Sequence, residues 1–347
     1  MLAEKHMQLN EDRVAVIIPC YKVTRHILGV LEAIDNRVWR IYAVDDACPE
    51  KSGALIETRC RDPRVKVLYH ERNRGVGGAV MSGYRAAIAD GATVLVKIDG
   101  NGQMSPTLLP DFVMPILTGI ADYTKGNRFY DLAKIKQMPR GRIFGNAVLS
   151  LLAKLSTGYW DLFDPTNGYT AIHAEVACRL PWERISERYF FESDMLFRLG
   201  TFRAVVVDVP MDACYGNEIS SLRIKDIFWE FSWKLARNFF KRIFYNYFLR
   251  DVSLASLELL LGTILVVFGG IYGACHWAQS AALGVTTPAG TVIVAAVSLL
   301  VGLQLLLAFL GYDIANVPRR PLHRFFMAGA AWRYDKSGKK PSDNEGI

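Results

Sequence analysis

The chain has 347 residues, with 41 Lys and Arg against 34 Asp and Glu, for a formal charge of +7. Hydrophobic residues make up 51% and charged residues 22%, which excludes disordered and fibrous chains, since those cannot bury enough apolar surface to offset ordering entropy. The mean hydropathy of +0.14 is high for a soluble enzyme, and the excess is local: no Asp, Glu, Lys or Arg stands between Glu258 and Asp313. The six cysteines (Cys20, Cys48, Cys60, Cys178, Cys214, Cys275) form no C-x-x-C pair and read as reduced thiols. The histidines show no zinc-ligand spacing. The N-terminus, MLAEKHMQLNEDR, has no apolar signal region, so the leading domain is expected in the cytoplasm.

In chain order, strands and helices alternate. Val14–Tyr21 is a continuous apolar run ending in Pro-x-Tyr and reads as a buried parallel strand. A helix is predicted over Ile27–Asp35, then a strand over Arg40–Asp46, a helix near Gly53–Cys60 and a strand over Val65–His70. The Gly-rich turn Asn73–Ala79 opens a helix to Ala89, and Thr93–Asp99 is a fourth strand closed by GNGQMSP. Such alternation predicts an α/β fold with a mostly parallel sheet and its site at the strand C-terminal ends. Tyr21, Asp45–Asp46, Asn73–Gly78 and Asp99–Gln103 all fall at such ends.

After the strand Ala204–Pro210, residues 223–250 interleave Lys and Arg with Phe, Trp and Tyr. Directly ahead of apolar spans, that mixture reads as an interfacial helix pair rather than a nucleic-acid surface. Leu259–Cys275 and Ala289–Tyr312 approach or exceed the roughly 20 residues needed to cross a bilayer. The loop between them lacks Lys and Arg, whereas Arg250, Arg319, Arg320, Arg324 and Arg333 flank the hairpin. The positive-inside rule then puts both ends in the cytoplasm. The tail DKSGKKPSDNEGI reads as disordered.

Asp99-Gly-Asn-Gly-Gln103 spaces oxygen donors at i, i+2 and i+4 on a tight turn, which suits either one divalent cation on a diphosphate or a structural Asx turn. Asn73-Arg-Gly-Val-Gly-Gly78 does not follow the first strand, so it is poor evidence for a dinucleotide site.

The set I-I-P-C-Y (Ile17–Tyr21), V-D-D (Val44–Asp46), N-x-G-x-G-x-A-x-x-x-G-x-x-x-A (Asn73 to Ala87), D-x-N-x-Q (Asp99 to Gln103), K-G-N-R-F (Lys125–Phe129), Arg142 with Asn146, and D-P-T-N-G-Y (Asp164–Tyr169) resembles the family 2 glycosyltransferases of GT-A fold. Within them the chain is similar to polyprenyl-phosphate glycosyltransferases related to dolichol-phosphate mannose synthase and the bactoprenol glucosyltransferases. The resemblance implies that Pro19, Tyr21, Asp46 and Asn73 bind the nucleotide, Asp46 accepting from a base N–H. It implies a diphosphate and Mg²⁺ or Mn²⁺ site at Asp99, Asn101 and Gln103. Arg128, Arg142 and Asn146 match the acceptor-phosphate residues, and Asp164 is the candidate base or orienting group, ahead of Glu192 and Asp194. Three places depart from the family pattern: Asn101 stands where relatives carry Asp, Lys22 replaces Asn or Glu, and Tyr215–Leu222 lacks the expected basic residues.

The expected organisation is a polar tail (1–12), a cytoplasmic GT-A domain (13–221), juxtamembrane amphipathic helices (222–252), a first transmembrane helix (253–278), an external loop (279–288), a second transmembrane helix (289–312) and a cytoplasmic tail (313–347). The expected activity is inverting transfer of a sugar from a UDP- or GDP-linked donor to a polyprenyl phosphate (undecaprenyl or dolichyl) at the cytoplasmic membrane. Two alternatives stay open. A processive polysaccharide synthase would normally carry Q-x-x-R-W, which is absent here. A non-catalytic nucleotide-sugar or lipid-binding scaffold is the other. Homo-oligomerisation is also open.

Overall fold

The computed structural model describes residues 12–130, 140–211 and 224–327, with the side chains of 140–142 and 224–228 excepted. The chain divides into two units, one running to Ala236 and resuming at Pro318, the other covering Arg237–Val317.

The first unit opens with β1 (Val14–Cys20), α1 (Ile27–Glu32), β2 (Arg40–Asp45), α2 (Ser52–Arg59), β3 (Val65–Tyr69), α3 (Val76–Ala89) and β4 (Val94–Lys97). This is the alternation expected from the sequence. Then come α4 (Leu109–Leu117), β5 (Tyr123–Asn127), α5 (Arg140–Thr157), β6 (Thr170–His173), α6 (Phe191–Phe202) and β7 (Val206–Pro210). The seven strands form one sheet in the order β3-β2-β1-β4-β6-β5-β7. β6 alone runs antiparallel to its neighbours, pairing Lys97 with Thr170 on one side and Lys125 with Thr170 on the other. Alternate residues of β1 serve opposite faces, as the period of two requires. Val14, Val16 and Ile18 join Val30, Leu31, Phe112 and Ile116 of α1 and α4 in one core. On the other face α3 lies so close that a Cβ at Gly83 would meet Ile17. Helices cover both faces, which is why β1 and β4 read as unbroken apolar runs.

The first unit also holds a contact that the sequence did not suggest. Residues 322–327 form a short helical turn, and the fully buried Asp122 carboxylate receives its first two N–H groups. Leu322 N donates to Oδ2 at 2.9 Å and His323 N to Oδ1 at 2.9 Å. His323 Nδ1 lies 2.7 Å from Oδ1, and Val205 N donates to Oδ2 at 2.8 Å. An anion at a helix N-terminus satisfies donors that have no partner within the helix. The His323 ring stacks on His173 with centroids 4.4 Å apart. The region expected to be a cytoplasmic tail from residue 313 therefore contains a segment packed against Asp122 and His173 of the seven-stranded sheet and its flanks; the disordered reading of DKSGKKPSDNEGI lies outside the described residues.

The chain passes into the second unit within α7 (Ile224–Phe244), a single helix that continues as a π-helical turn over Tyr245–Leu249 instead of the expected pair. α8 (Leu254–Leu283) and α9 (Ala289–Ala315) follow, 30 and 27 residues with hydropathies of 2.1 and 2.6. Both are long and apolar enough to cross a membrane, and only 22% and 17% of their most apolar windows are buried, unlike core helices of a soluble protein. They pack through small residues: a Cβ at Gly262 would sit 3.0 Å from the Gly302 carbonyl oxygen. α8 runs past the expected end at 278, because Ala278–Leu283 offers no breaker before Gly284, which caps the helix at φ 67°. At the end of α9, the buried Asp313 takes a bidentate bond from Arg242 at 2.6 and 2.9 Å, and Tyr247 Oη donates to it at 2.6 Å.

Burial, then the neighbouring His323, lowers the His173 pKa from 6.5 to about 4. The unfolded chain binds this proton between those pH values and the folded one does not, so stability falls as pH drops through the window. The ceiling is about 3 kcal/mol, each pKa unit being worth about 1.4 kcal/mol. His173→Asn keeps an acceptor for Glu175 N and removes the titration. Between pH 7 and pH 4.5, the melting temperature of the wild type should fall further than that of the variant; equal falls would contradict the assignment.

Candidate active site

The site lies where the strands end, and three corners of it can be followed from the residues. At the first, β1 and β2 pair in parallel with Pro19 opposite Val44. The chain leaving β1 presents Tyr21, a residue 45% exposed, and the Lys22 ammonium lies 5.6 Å from its ring centroid. An exposed aromatic face of this kind can stack on a planar ring. The two aspartates at the end of β2 are committed elsewhere. Asp45 accepts from Cys48 N at 2.7 Å and Gly53 N at 2.6 Å. Asp46 is buried; its Oδ1 contacts His70 Nδ1 at 2.7 Å and accepts from Arg74 N at 2.8 Å, while Oδ2 accepts from Gly75 N at 2.7 Å. Asn73 Nδ2 donates to the Asp46 carbonyl at 3.3 Å. Asp46 and Asn73 thus build the entry to α3 in the described structure, and Gly75 fits that entry because its φ is +86°. The expectation that Asp46 binds a base N–H meets a carboxylate already engaged by three protein groups.

The second corner is the turn after β4. Lys97, the last residue of that strand, is fully buried, with Nζ 2.9 Å from Asp99 Oδ1 and 3.0 Å from Glu192 Oε1 at the start of α6. Burial alone would lower its pKa, but the two carboxylates hold it above the ordinary lysine range. The Asp99 side chain remains 29% exposed. Asn101 Oδ1 accepts from Gln103 N at 3.1 Å, so the Asx turn of the sequence reading is present. A carboxylate and two amide oxygens are hard donors that fit Mg²⁺ or Mn²⁺. Their single formal charge is opposed by Lys97, and no cluster of three His, Cys, Asp or Glu side chains supplements it among the described residues. The set fits a cation that takes its remaining ligands from a bound diphosphate.

The third corner is Arg128, just beyond β5. Its Nε donates to Asp164 Oδ2 at 2.7 Å and its Nη2 to Oδ1 at 2.9 Å, a bidentate pair with 28% of the arginine side chain exposed and 1% of the aspartate. Burial raises the Asp164 pKa, yet the Arg128 bonds and Lys125 bring it below the usual carboxylate range. An ionised carboxylate bonded in this way can orient the guanidinium it holds. Arg142 falls on the first turn of α5, its side chain outside the described residues, as is the departure at 215–222. Asn146 is half-buried on the same helix. Of the weaker candidates, Glu192 is the partner of Lys97, and Asp194 accepts from Ser186 N at 2.9 Å.

The turn Asp164–Tyr169 joins the second and third corners. Asp164 holds Arg128 at one end. At the other, Gly168 packs on the Asp99–Gln103 turn so closely that a Cβ would run into the Lys97 ammonium and come within 3.0 Å of Asp99 Oδ2. Beneath the turn, the buried Lys125 donates from Nζ to the Asn167 carbonyl at 2.9 Å. Burial lowers the pKa of Lys125 to about 8, against the pull of Asp164 and Asp208. Asp208, opposite Lys125 on β7, is pushed up to about 6 by its own burial. Lys97 and Asp208 were not singled out from the sequence, and Lys125 entered only as part of the K-G-N-R-F piece. For Lys97 the available signal was a charged residue closing an otherwise apolar strand.

The sheet gathers these polar corners at the strand C-terminal ends of one α/β domain, and comparison with known proteins narrows what such a domain is. The profile of glycosyl transferase family 2 matches residues 15–180. The undecaprenyl-phosphate mannosyltransferase of Micrococcus luteus is 32% identical over 57% of this chain and 82% of its own. The polyprenol monophosphomannose synthase of Mycolicibacterium smegmatis is 27% identical over 58% and 77%, and the UDP-N-acetylglucosamine–dolichyl-phosphate N-acetylglucosaminyltransferase of Methanococcus voltae 26% over 60% and 88%. The chain belongs to glycosyl transferase family 2. Glucosyl-3-phosphoglycerate synthase of Mycobacterium tuberculosis, solved with Mn²⁺, UDP and phosphoglyceric acid, has the same GT-A fold, with a TM-score of 0.51 at 19% identity over 70% of this chain and 82% of that one.

Gly168→Ala should cost about 1–3 kcal/mol, the usual range for overpacking, and should displace Asp99 from Lys97. A melting temperature and nucleotide affinity both equal to wild type would show that the turn does not press on the metal motif.

Proposed function

We propose that the chain is a membrane-anchored, inverting glycosyltransferase that moves a sugar from a UDP- or GDP-linked donor in the cytoplasm to a polyprenyl phosphate. The observation that carries this reading is the Asp164–Tyr169 turn, which ties the Asp99 corner to the part-exposed Arg128 guanidinium that Asp164 holds. The acceptors named for the relatives from Micrococcus luteus and Mycolicibacterium smegmatis support it. So do α8 and α9, and the exposed Trp229 and Trp233 of α7, a residue type favoured at membrane interfaces.

In this reading the base stacks on Tyr21 near Pro19, and the diphosphate meets the Asp99–Gln103 turn. Asp99, Asn101 and Gln103 would hold Mg²⁺ or Mn²⁺, which neutralises charge on a departing diphosphate. Arg128, with Arg142 and Asn146 of α5, receives the acceptor phosphate, whose second pKa of about 6 leaves it largely dianionic at neutral pH. One of its oxygens attacks C1 of the sugar from the face opposite the donor. As the new C1–O bond forms, the bond from C1 to the diphosphate breaks, the nucleoside diphosphate keeps the electron pair, and the anomeric centre inverts. No proton need leave the nucleophile, so Asp164 serves by fixing the Arg128 fork.

The test is incubation of the purified full chain in lipid with labelled UDP- and GDP-sugars and undecaprenyl phosphate. Label should pass to the lipid phase with one donor. A polymer would indicate a processive synthase, and no product with any donor would indicate a scaffold. Arg128→Ala should lower transfer at least 100-fold while changing nucleotide affinity less than threefold. Asp164→Asn should lower it at least tenfold and keep the acid limb of the wild-type pH profile; disappearance of that limb would make Asp164 the base.

The hairpin has a topology that follows from chain connectivity. α7 begins in the first unit, and residues 318–327 return to it through Asp122. A folded domain cannot straddle a bilayer, so α8 must enter and α9 must leave on its side. Reporter fusions after Lys336 should read cytoplasmic, and fusions within Ala278–Thr287 should read external. A cytoplasmic signal from the latter would rule out two spans.

A further inference from the structure

The geometry points to Lys97 as the positioning residue that sets how strongly this site holds its divalent cation, with Glu192 as the counterweight that keeps Asp99 available. The inference rests on the metal-assisted reading above. Lys97 Nζ is 2.9 Å from Asp99 Oδ1 and 3.0 Å from Glu192 Oε1, with 1% of the lysine side chain exposed. One ammonium is therefore shared between two carboxylates, away from water that would screen it. Asp99 supplies the only formal charge of the D-x-N-x-Q turn, and the ammonium opposes the approach of any second cation to it. Glu192 draws part of that charge to the other side. Gly168 meanwhile leaves Asp99 Oδ2 uncovered where a Cβ would close it. The protein alone thus offers a cation one partly neutralised carboxylate. The site becomes strong only when the anionic diphosphate adds its own oxygens, so ion and nucleotide are captured together.

Removing the ammonium changes that balance in a defined direction. In Lys97→Met, Asp99 and Glu192 become two uncompensated carboxylates that had flanked a single point at about 3 Å each, and Mn²⁺ should bind without nucleotide at least tenfold tighter than in wild type. In Glu192→Gln the whole ammonium falls to Asp99, and Mn²⁺ should bind at least threefold more weakly. Lys97→Arg, which keeps the charge, should stay within threefold of wild type. A lysine with only a packing role would move none of these affinities in this pattern.

The experiment is Mn²⁺ titration of the full chain in lipid, read by the electron paramagnetic resonance of free Mn²⁺, first with the metal alone and then with saturating UDP or GDP. Tighter nucleotide-free binding by Lys97→Met, with less gain on adding nucleotide, supports the inference. Unchanged or weaker binding by a folded Lys97→Met overturns it. Where circular dichroism shows that variant unfolded, Glu192→Gln decides: weaker binding supports, equal or tighter binding overturns. Failure here is separable from failure of the functional reading. Wild-type sugar transfer with unmoved Mn²⁺ affinities rejects only the role of Lys97, and the expected affinities without transfer to lipid reject only the assigned reaction.

Discussion

Two buried lysine ammoniums under one six-residue turn hold the site together. Lys97 and Lys125 end or occupy interior strands of the sheet, where an unpaired charge would be costly enough to unfold a domain of ordinary stability. Each must find oxygen within the protein, and each finds it at the strand C-terminal edge: Lys97 in Asp99 and Glu192, Lys125 in the Asn167 carbonyl. Meeting those needs pins the Asp164–Tyr169 turn down at its centre and brings Gly168 onto the Asp99–Gln103 turn. Asp164 then lies where its two oxygens match the Arg128 fork. The Asp99 turn and the Arg128–Asp164 pair, distant in sequence, are thereby joined through one turn that meets both buried lysines.

The same logic recurs in the second unit. Arg242 and Asp313 are both buried and bidentate, with Tyr247 completing the carboxylate. Truncating one partner of such a pair is far more harmful than replacing both, because it strands a charge. The pair fixes the end of α9 against the last turns of α7 within that unit. In the first unit, Asp122 performs a comparable service for the segment that follows the hairpin, gathering four donors from Val205, Leu322 and His323. Each carboxylate joins segments that are far apart in the chain.

Much of this was legible in the residues. The apolar runs of β1, β2 and β4 and the alternation with helices placed the first half of the sheet, because parallel strands covered on both faces carry continuous hydrophobicity. The uncharged stretch after Glu258 announced α8 and α9. β5 and β6 were not visible, since Tyr-Thr-Lys-Gly-Asn and Thr-Ala-Ile-His are short and half polar, and their pairing is settled by partners far away in sequence. For the site, the motif pieces lie at the strand C-terminal ends, but the partners of each side chain were not readable from them. Asp46 carries the expected residue type, yet its oxygens serve Arg74, Gly75 and His70. The bidentate bond between Asp164 and Arg128 was not readable from the residues, which lie 36 positions apart. Lys97 went unremarked because a lysine at a strand end usually reaches water, and only the position of α6 shows that this one meets Glu192 instead.

The account turns on a single turn bringing donor and acceptor into register, and a structure of the full chain in a lipid nanodisc, with Mn²⁺, a non-transferable nucleotide sugar and undecaprenyl phosphate, examines that most directly. The account predicts the donor diphosphate at Asp99, the acceptor phosphate on the Arg128 guanidinium with the Asp164 pair intact, and an acceptor oxygen in line with C1 on the face away from the diphosphate. A lipid phosphate seated away from Arg128, or a diphosphate that does not reach the Asp99 turn, would contradict it.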